Sequence, residues 1–88
     1  MDIFYTNQFQ KDLVKLKKQG KDLAKIKVLM EQIIQGTALN ARYKDHKLIG
    51  NYKNRRECHI EPDWLLIYKK TDEILIFERT GSHSELFK

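Results

Sequence analysis

Three histidines, His46, His59 and His83, lie in the second half of the chain, each inside a short charged or aromatic segment. His46 sits in Tyr43-Lys44-Asp45-His46-Lys47-Leu48 and His59 in Arg55-Arg56-Glu57-Cys58-His59-Ile60-Glu61-Pro62-Asp63-Trp64. His83 sits in Glu78-Arg79-Thr80-Gly81-Ser82-His83-Ser84-Glu85-Leu86-Phe87. Imidazole is the side chain whose ordinary pKa, about 6.5, lets it give or take a proton near neutrality. Metal-free RNA cleavage drives a ribose 2′-OH onto the adjacent phosphorus, leaving a 2′,3′-cyclic phosphate and a 5′-hydroxyl. A base must take the hydroxyl proton, an acid must protonate the departing oxygen, and donors must hold charge on the phosphorane. Each proton transfer is typically worth about 10²–10⁴-fold in rate. Several imidazoles beside arginines, on a basic chain, are the groups such a reaction needs.

The chain is basic, with 17 lysines and arginines against 12 acidic residues and a net charge of +5 over 88 residues. Its length makes residues 1–88 one domain with a small core. A cationic surface attracts polyanions, of which nucleic acid is the commonest; an acidic protein partner or a merely solvated surface fits the charge as well. Cys58 is the single cysteine, which excludes an intrachain disulfide and a thiolate metal cluster. With Asp2 at the start and no long apolar run, neither a signal peptide nor a membrane span is expected, and the cytoplasm is the default compartment.

The elements that must position the histidines follow from periodicity. Ile3-Phe4-Tyr5 reads as an opening strand. Thr6 or Asn7 can cap a helix whose apolar face is Phe9, Leu13 and Leu16, opposite a stripe of Lys11, Lys15 and Lys18, with Gly20 at its end. A second helix from about Asp22 buries Leu23, Ile26, Leu29, Met30, Ile33 and Ile34 and closes at Gly36. The short connection makes the two an antiparallel pair. Residues 37–47 read as a polar connection carrying His46, and from Leu48 onward the pattern turns to strands. Arg56, Cys58 and Ile60 alternate with Arg55, Glu57, His59 and Glu61. Pro62-Asp63 turns the chain into the apolar run Trp64–Tyr68, a central strand, and Thr71-Asp72 turns it again into Ile74–Phe77. The fold class is α+β: a strand, an antiparallel helix pair, then an antiparallel β-meander with the helices on one face of the sheet. Simple hairpins would set Leu66 opposite His59, Phe77 opposite Leu66 and Trp64 opposite Arg79. His59, Trp64 and Arg79 would then share one face, with Ile60, Leu65, Ile67 and Ile76 toward the helices.

Each candidate also has an ordinary reading. A lone strand histidine such as His59 is commonly structural, a loop histidine such as His46 needs no explanation, and Asp63 is a natural turn residue. Trp64 packs in part whatever else it does, and Phe87 can plug the core. Arg55 and Arg56 can grip an RNA backbone or a partner, and Arg56 can instead pair with a carboxylate on its own sheet. The histidine spacings match no local zinc motif, so no metal is expected, and phosphate-loop and dinucleotide fingerprints are absent.

Asp45-His46, the run Arg56–Tyr68 and the run Phe77–Phe87 together resemble the YafQ branch of the RelE/ParE toxin superfamily, over about half the chain. The resemblance implies a RelE-like fold and an endoribonuclease that cuts messenger RNA, typically in the decoding site of a translating ribosome, against ribosomal RNA. It implies an acidic antitoxin as partner, DNA binding only through the toxin–antitoxin complex, no cofactor and no membrane. The family's functional positions fall on His46, His59, Asp63, Trp64, His83 and Phe87, with Arg79 beside them. His83 and His59 would be the principal catalytic histidines, His83 the base. Asp63 would orient an imidazole or act as the acid, and His46 would bind phosphate or share the acid role. Arg79 would stabilise the transition state, and Trp64 and Phe87 would stack on bases or wall the pocket. Two other readings stand beside this one: a toxin of the same fold that inhibits gyrase, whose known members generally lack this histidine set, and a basic RNA-binding module without chemistry.

Overall fold

Thr6 divides the first two elements of the computed structural model, which describes residues 1–48 and 54–87. Ahead of it Asp2–Tyr5 forms β1, and behind it Asn7–Lys18 forms α1. The Thr6 hydroxyl accepts the Phe9 N–H and donates to the Glu78 carbonyl at 2.8 Å, so the helix cap is also a tie to the sheet. Helix α2, Leu23–Gln35, starts at the Asp22 cap and ends at Gly36, whose φ of 74° is a left-handed conformation that glycine adopts without strain. Among the described residues no helix is long and apolar enough to cross a membrane.

A 3₁₀ turn at Ala41–Tyr43 leads into a two-residue strand β2, His46–Lys47, so His46 lies on the sheet edge and not in an irregular connection. Strands β3 (Arg55–Glu61), β4 (Trp64–Lys70) and β5 (Ile74–Gly81) form the expected antiparallel meander, and a short helix α3 follows at His83–Leu86. The sheet order is β1-β5-β4-β3-β2, with β1 parallel to β5 and the other pairs antiparallel. Residues 49–53, within the stretch expected to be strand, lie outside the described residues.

Two bulges overturn the expected register. Leu66 pairs with Cys58, and His59 with Leu65, because Ile60 is an extra residue before Glu61 meets Trp64. Leu66 pairs with Thr80 on β5, not Phe77; the turn is wider than two residues, since Lys70 pairs with Leu75, and Glu78 is extra between Phe77 and Arg79. A slip of one residue exchanges the faces of a strand. Trp64 therefore joins Cys58, Leu66, Tyr68, Leu75 and Phe77 against Phe9, Leu16, Ile26, Leu29 and Ile33 of the helices. Leu65 and Ile67, expected toward the helices, pack on the opposite face with Leu86 and Leu48. Ile76 follows them, paired with Lys69 and with half-exposed Phe4. Ile60 keeps its expected contact with the helix-side core.

Among the described residues the buried side-chain polar atoms are matched. Trp64 Nε1 donates to Thr80 Oγ1 at 2.9 Å, and that hydroxyl donates to the Leu65 carbonyl at 2.7 Å. The Thr80 N–H donates to Asp12 of α1 at 3.1 Å. Docking of Leu86 against Leu65 and Ile67 then carries α3 over the sheet face that bears His59. Gly81 permits the approach: a Cβ there would lie 3.2 Å from Glu85 Oε1.

Candidate active site

Three different elements deliver the histidines: β2 brings His46, β3 brings His59, and the start of α3 brings His83. The rings form a row with His59 in the middle, its centroid 6.5 Å from that of His46 and 5.7 Å from that of His83. The His46–Glu57 strand pair and the neighbouring His59 account for the first distance, and the docking of Leu86 accounts for the second.

Each end of the row has a carboxylate. Asp63, in the β3–β4 turn, accepts from the His83 backbone N–H at 3.0 Å and lies 2.8 Å from its Nδ1. These two contacts, the backbone one first, hold the Asp63 carboxyl below its usual range. An ionised Asp63 fixes the hydrogen on Nδ1 and turns the Nε2 lone pair outward. At the other end His46 Nε2 lies 2.9 Å from Glu57 Oε2, and His46 Nδ1 lies 3.1 Å from the Lys47 carbonyl. Both nitrogens thus face acceptors. The start of α3 is itself braced, since Ser82 and Glu85 form a capping box and Lys15 of α1 ion-pairs with Glu85. Lys15, first, and the Ser82 N–H pull the Glu85 carboxyl down to about 2.

Comparison with known proteins identifies the family. The family model described as "Bacterial toxin of type II toxin-antitoxin system, YafQ" matches residues 1–88. The mRNA interferase toxin YafQ of Escherichia coli K12 is 52% identical over 87 residues, 98% of this chain and 95% of that one. The chain belongs to the YafQ toxin family. A crystal structure of the E. coli DinJ–YafQ complex matches with a TM-score of 0.94 at 50% identity, over 99% of this chain and 98% of that one. A metal-bound toxin from Helicobacter pylori matches with a TM-score of 0.91 at 40% identity, over 99% of both chains.

In this YafQ family member the remaining expected residues divide. Arg55 shares the His59 face and ion-pairs with Glu78 of β5. Arg56 lies on the other face opposite Tyr68 and pairs at 3.1 Å with Asp45, which stands just ahead of β2 and not on the sheet where a carboxylate partner was the alternative expected. Phe87, just beyond α3, is exposed at 36%. Trp64 is the clearest correction: it is 0% exposed, on the helix side, and offers no ring face to a base. Arg79 is opposite Ile67 and not Trp64, and its guanidinium reaches Asp12 of α1 at 2.9 and 3.3 Å. These neighbours on β5 thus have different partners, Glu78 holding Arg55 of β3 and Arg79 holding Asp12 of α1.

Two acidic residues were missed. Glu57 alternates like any strand residue, and only its pairing with His46 across the sheet edge reveals its part; its side chain is 8% exposed. Asp12 stands among lysines in the sequence, but its i, i+3 spacing from Phe9 could have marked it as buried. Ligand atoms of His46, Glu57 and His59 all lie within 4.8 Å of one another, so this trio could hold a metal ion that sequence spacing did not suggest. Cys58 is buried beneath it, and burial pushes its thiol pKa well up, which removes it as a nucleophile.

Proposed function

We propose that this chain is an endoribonuclease that cuts messenger RNA on the ribosome by metal-free attack of the ribose 2′-OH. The observation that carries the reading is the row of three imidazoles on one sheet face, anchored at one end by Asp63 and at the other by Glu57. His83, with Nδ1–H held by ionised Asp63, takes the 2′-hydroxyl proton at Nε2. The 2′-oxygen forms a bond to phosphorus as the bond from phosphorus to the 5′-oxygen breaks. His46 protonates that 5′-oxygen through Nε2, whose hydrogen passes from Glu57 to the leaving oxygen as the RNA binds. His59, between them, stabilises the charge on the phosphorane. Asp63 orients and is not the acid, because its carboxyl is held below the ordinary range. Arg79, tied to Asp12, braces β5 on α1, leaving the phosphorane to His59.

The partner in this reading is an acidic antitoxin that covers the basic surface; the E. coli relative is found with DinJ, and the +5 charge favours such a partner. DNA is bound only through that complex, and the protein works in the cytoplasm.

The test is cleavage of a translated and a naked transcript by purified protein in chelator, with the product ends mapped. The expected result is a 2′,3′-cyclic phosphate and a 5′-hydroxyl, with cutting strongest on translated RNA. His83→Ala and His59→Gln should retain the fold and lose about 10²–10⁴-fold in rate. Folded variants that cut or poison cells as well as the parent chain would refute the reading.

A further inference from the structure

β2 covers β3 only at Arg56 and Glu57. Beyond that point a groove of about 550 Å³ opens between β3, α2 and the 3₁₀ turn, and His59 lines it. Its size falls within the range of roughly 300–1,000 Å³ typical of ligand sites. Val28, Ile60 and Pro62 supply an apolar floor. On one side the Arg42 guanidinium lies 4.9 Å over the Tyr43 ring and donates to its hydroxyl at 2.8 Å, making a cationic, aromatic platform. The acid at the rim, Glu61, is neutralised by Lys21 and Lys25 at 3.2 and 2.9 Å. Lys44 stands beside the platform with φ of 48°, a left-handed backbone that a lysine seldom adopts. It is held there because the next residue, Asp45, is clamped by Tyr68 at 2.9 Å and Arg56 at 3.1 Å. Such strain collects at sites that hold ligands.

We propose that this groove is a subsite for one unpaired nucleotide next to the scissile phosphodiester. The base lies on the Arg42–Tyr43 platform over the apolar floor, and its phosphate turns toward Lys44. Splayed bases stack on aromatic rings and guanidinium planes, and the cationic rim matches a polyanion. The groove is continuous with the histidine row through His59. The proposal rests on the nuclease reading for the position of the scissile bond, and its test separates the two.

The probe is a short, fully 2′-O-methylated single-stranded RNA, which cannot be cleaved, together with a set carrying one abasic position each. Wild-type protein should lose affinity on the order of 5- to 150-fold at one position, the worth of one stacked base. Arg42→Ala and Val28→Glu, both at exposed positions, should bind the intact RNA as weakly as the wild type binds that abasic strand. Thermal melts report whether each variant is folded, and Tyr43→Phe should retain the penalty because it keeps the ring. A penalty that persists unchanged in the folded variants, or no position-specific penalty at all, overturns the subsite. Wild-type protein that shows the penalty but cuts neither translated nor naked unmodified RNA refutes the nuclease reading and leaves the groove an RNA site. Variants that keep RNA affinity but lose an acidic antitoxin peptide make the groove a protein site and overturn the proposal.

Discussion

Thr80→Val separates a core role for Trp64 from a role at the RNA surface. Thr80 is 2% exposed and Trp64 0%, and the threonine hydroxyl is the acceptor for the indole N–H and a donor to the Leu65 carbonyl. Valine matches the shape but provides neither hydrogen bond. A buried N–H left without an acceptor costs about 1–3 kcal/mol, and the site has no solvent to replace the hydroxyl. With about 2 kcal/mol lost, and about 4–8 °C per kcal/mol for a domain of this size, Tm should fall by about 8–16 °C. Trp64→Phe combined with Thr80→Val should cost less than the two single changes summed, because both polar partners are then gone. The assay is thermal and urea unfolding followed by circular dichroism, with RNA affinity measured on the folded fraction. Affinity per folded molecule should not change, since neither group reaches the surface. A Thr80→Val protein with unchanged Tm, or a stable Trp64→Phe protein that loses RNA binding, would refute the reasoning.

Asp63→Asn should slow cutting less than His83→Ala does, because the imidazole remains but loses its fixed tautomer; in the His83→Ala background the same change should cost nothing further. Glu85 predicts an acid-side effect. Its carboxyl falls from 4.5 to about 2 on folding, so its contribution is complete above 4.5 and is lost as pH drops through about 2. Glu85→Gln should remove that part of the acid unfolding curve, and an unchanged curve would count against the bracing of α3. Added Zn²⁺ or Cu²⁺ should inhibit cutting by taking up His46, Glu57 and His59, with chelator restoring it. Glu57→Gln should weaken that inhibition, and equal inhibition of the variant would place the metal elsewhere.

Much of the architecture was legible in local chemistry. The Thr6 cap, the start of the second helix near Asp22, the Gly20 and Gly36 stops and the turn at Pro62-Asp63 each depend on a few neighbouring residues and are found where those residues stand, while the turn at Thr71-Asp72 is wider than the two residues expected. The histidines were also legible as a group, because their segments carry the family resemblance. What stayed hidden depends on pairing between distant residues. Alternation along β3 and β5 is the same with or without an extra residue, so neither the Ile60 nor the Glu78 bulge could be read, and Trp64 was placed on the wrong face.

Local chemistry, written in the order of the residues, determined where helices and strands begin and end and which side chains can exchange protons. Tertiary structure alone decided that Asp63 holds His83, Glu57 holds His46 and Asp12 holds Arg79. Those partners meet only after strand register is set, and register is a property of two or more segments at once, fixed by how the whole core packs.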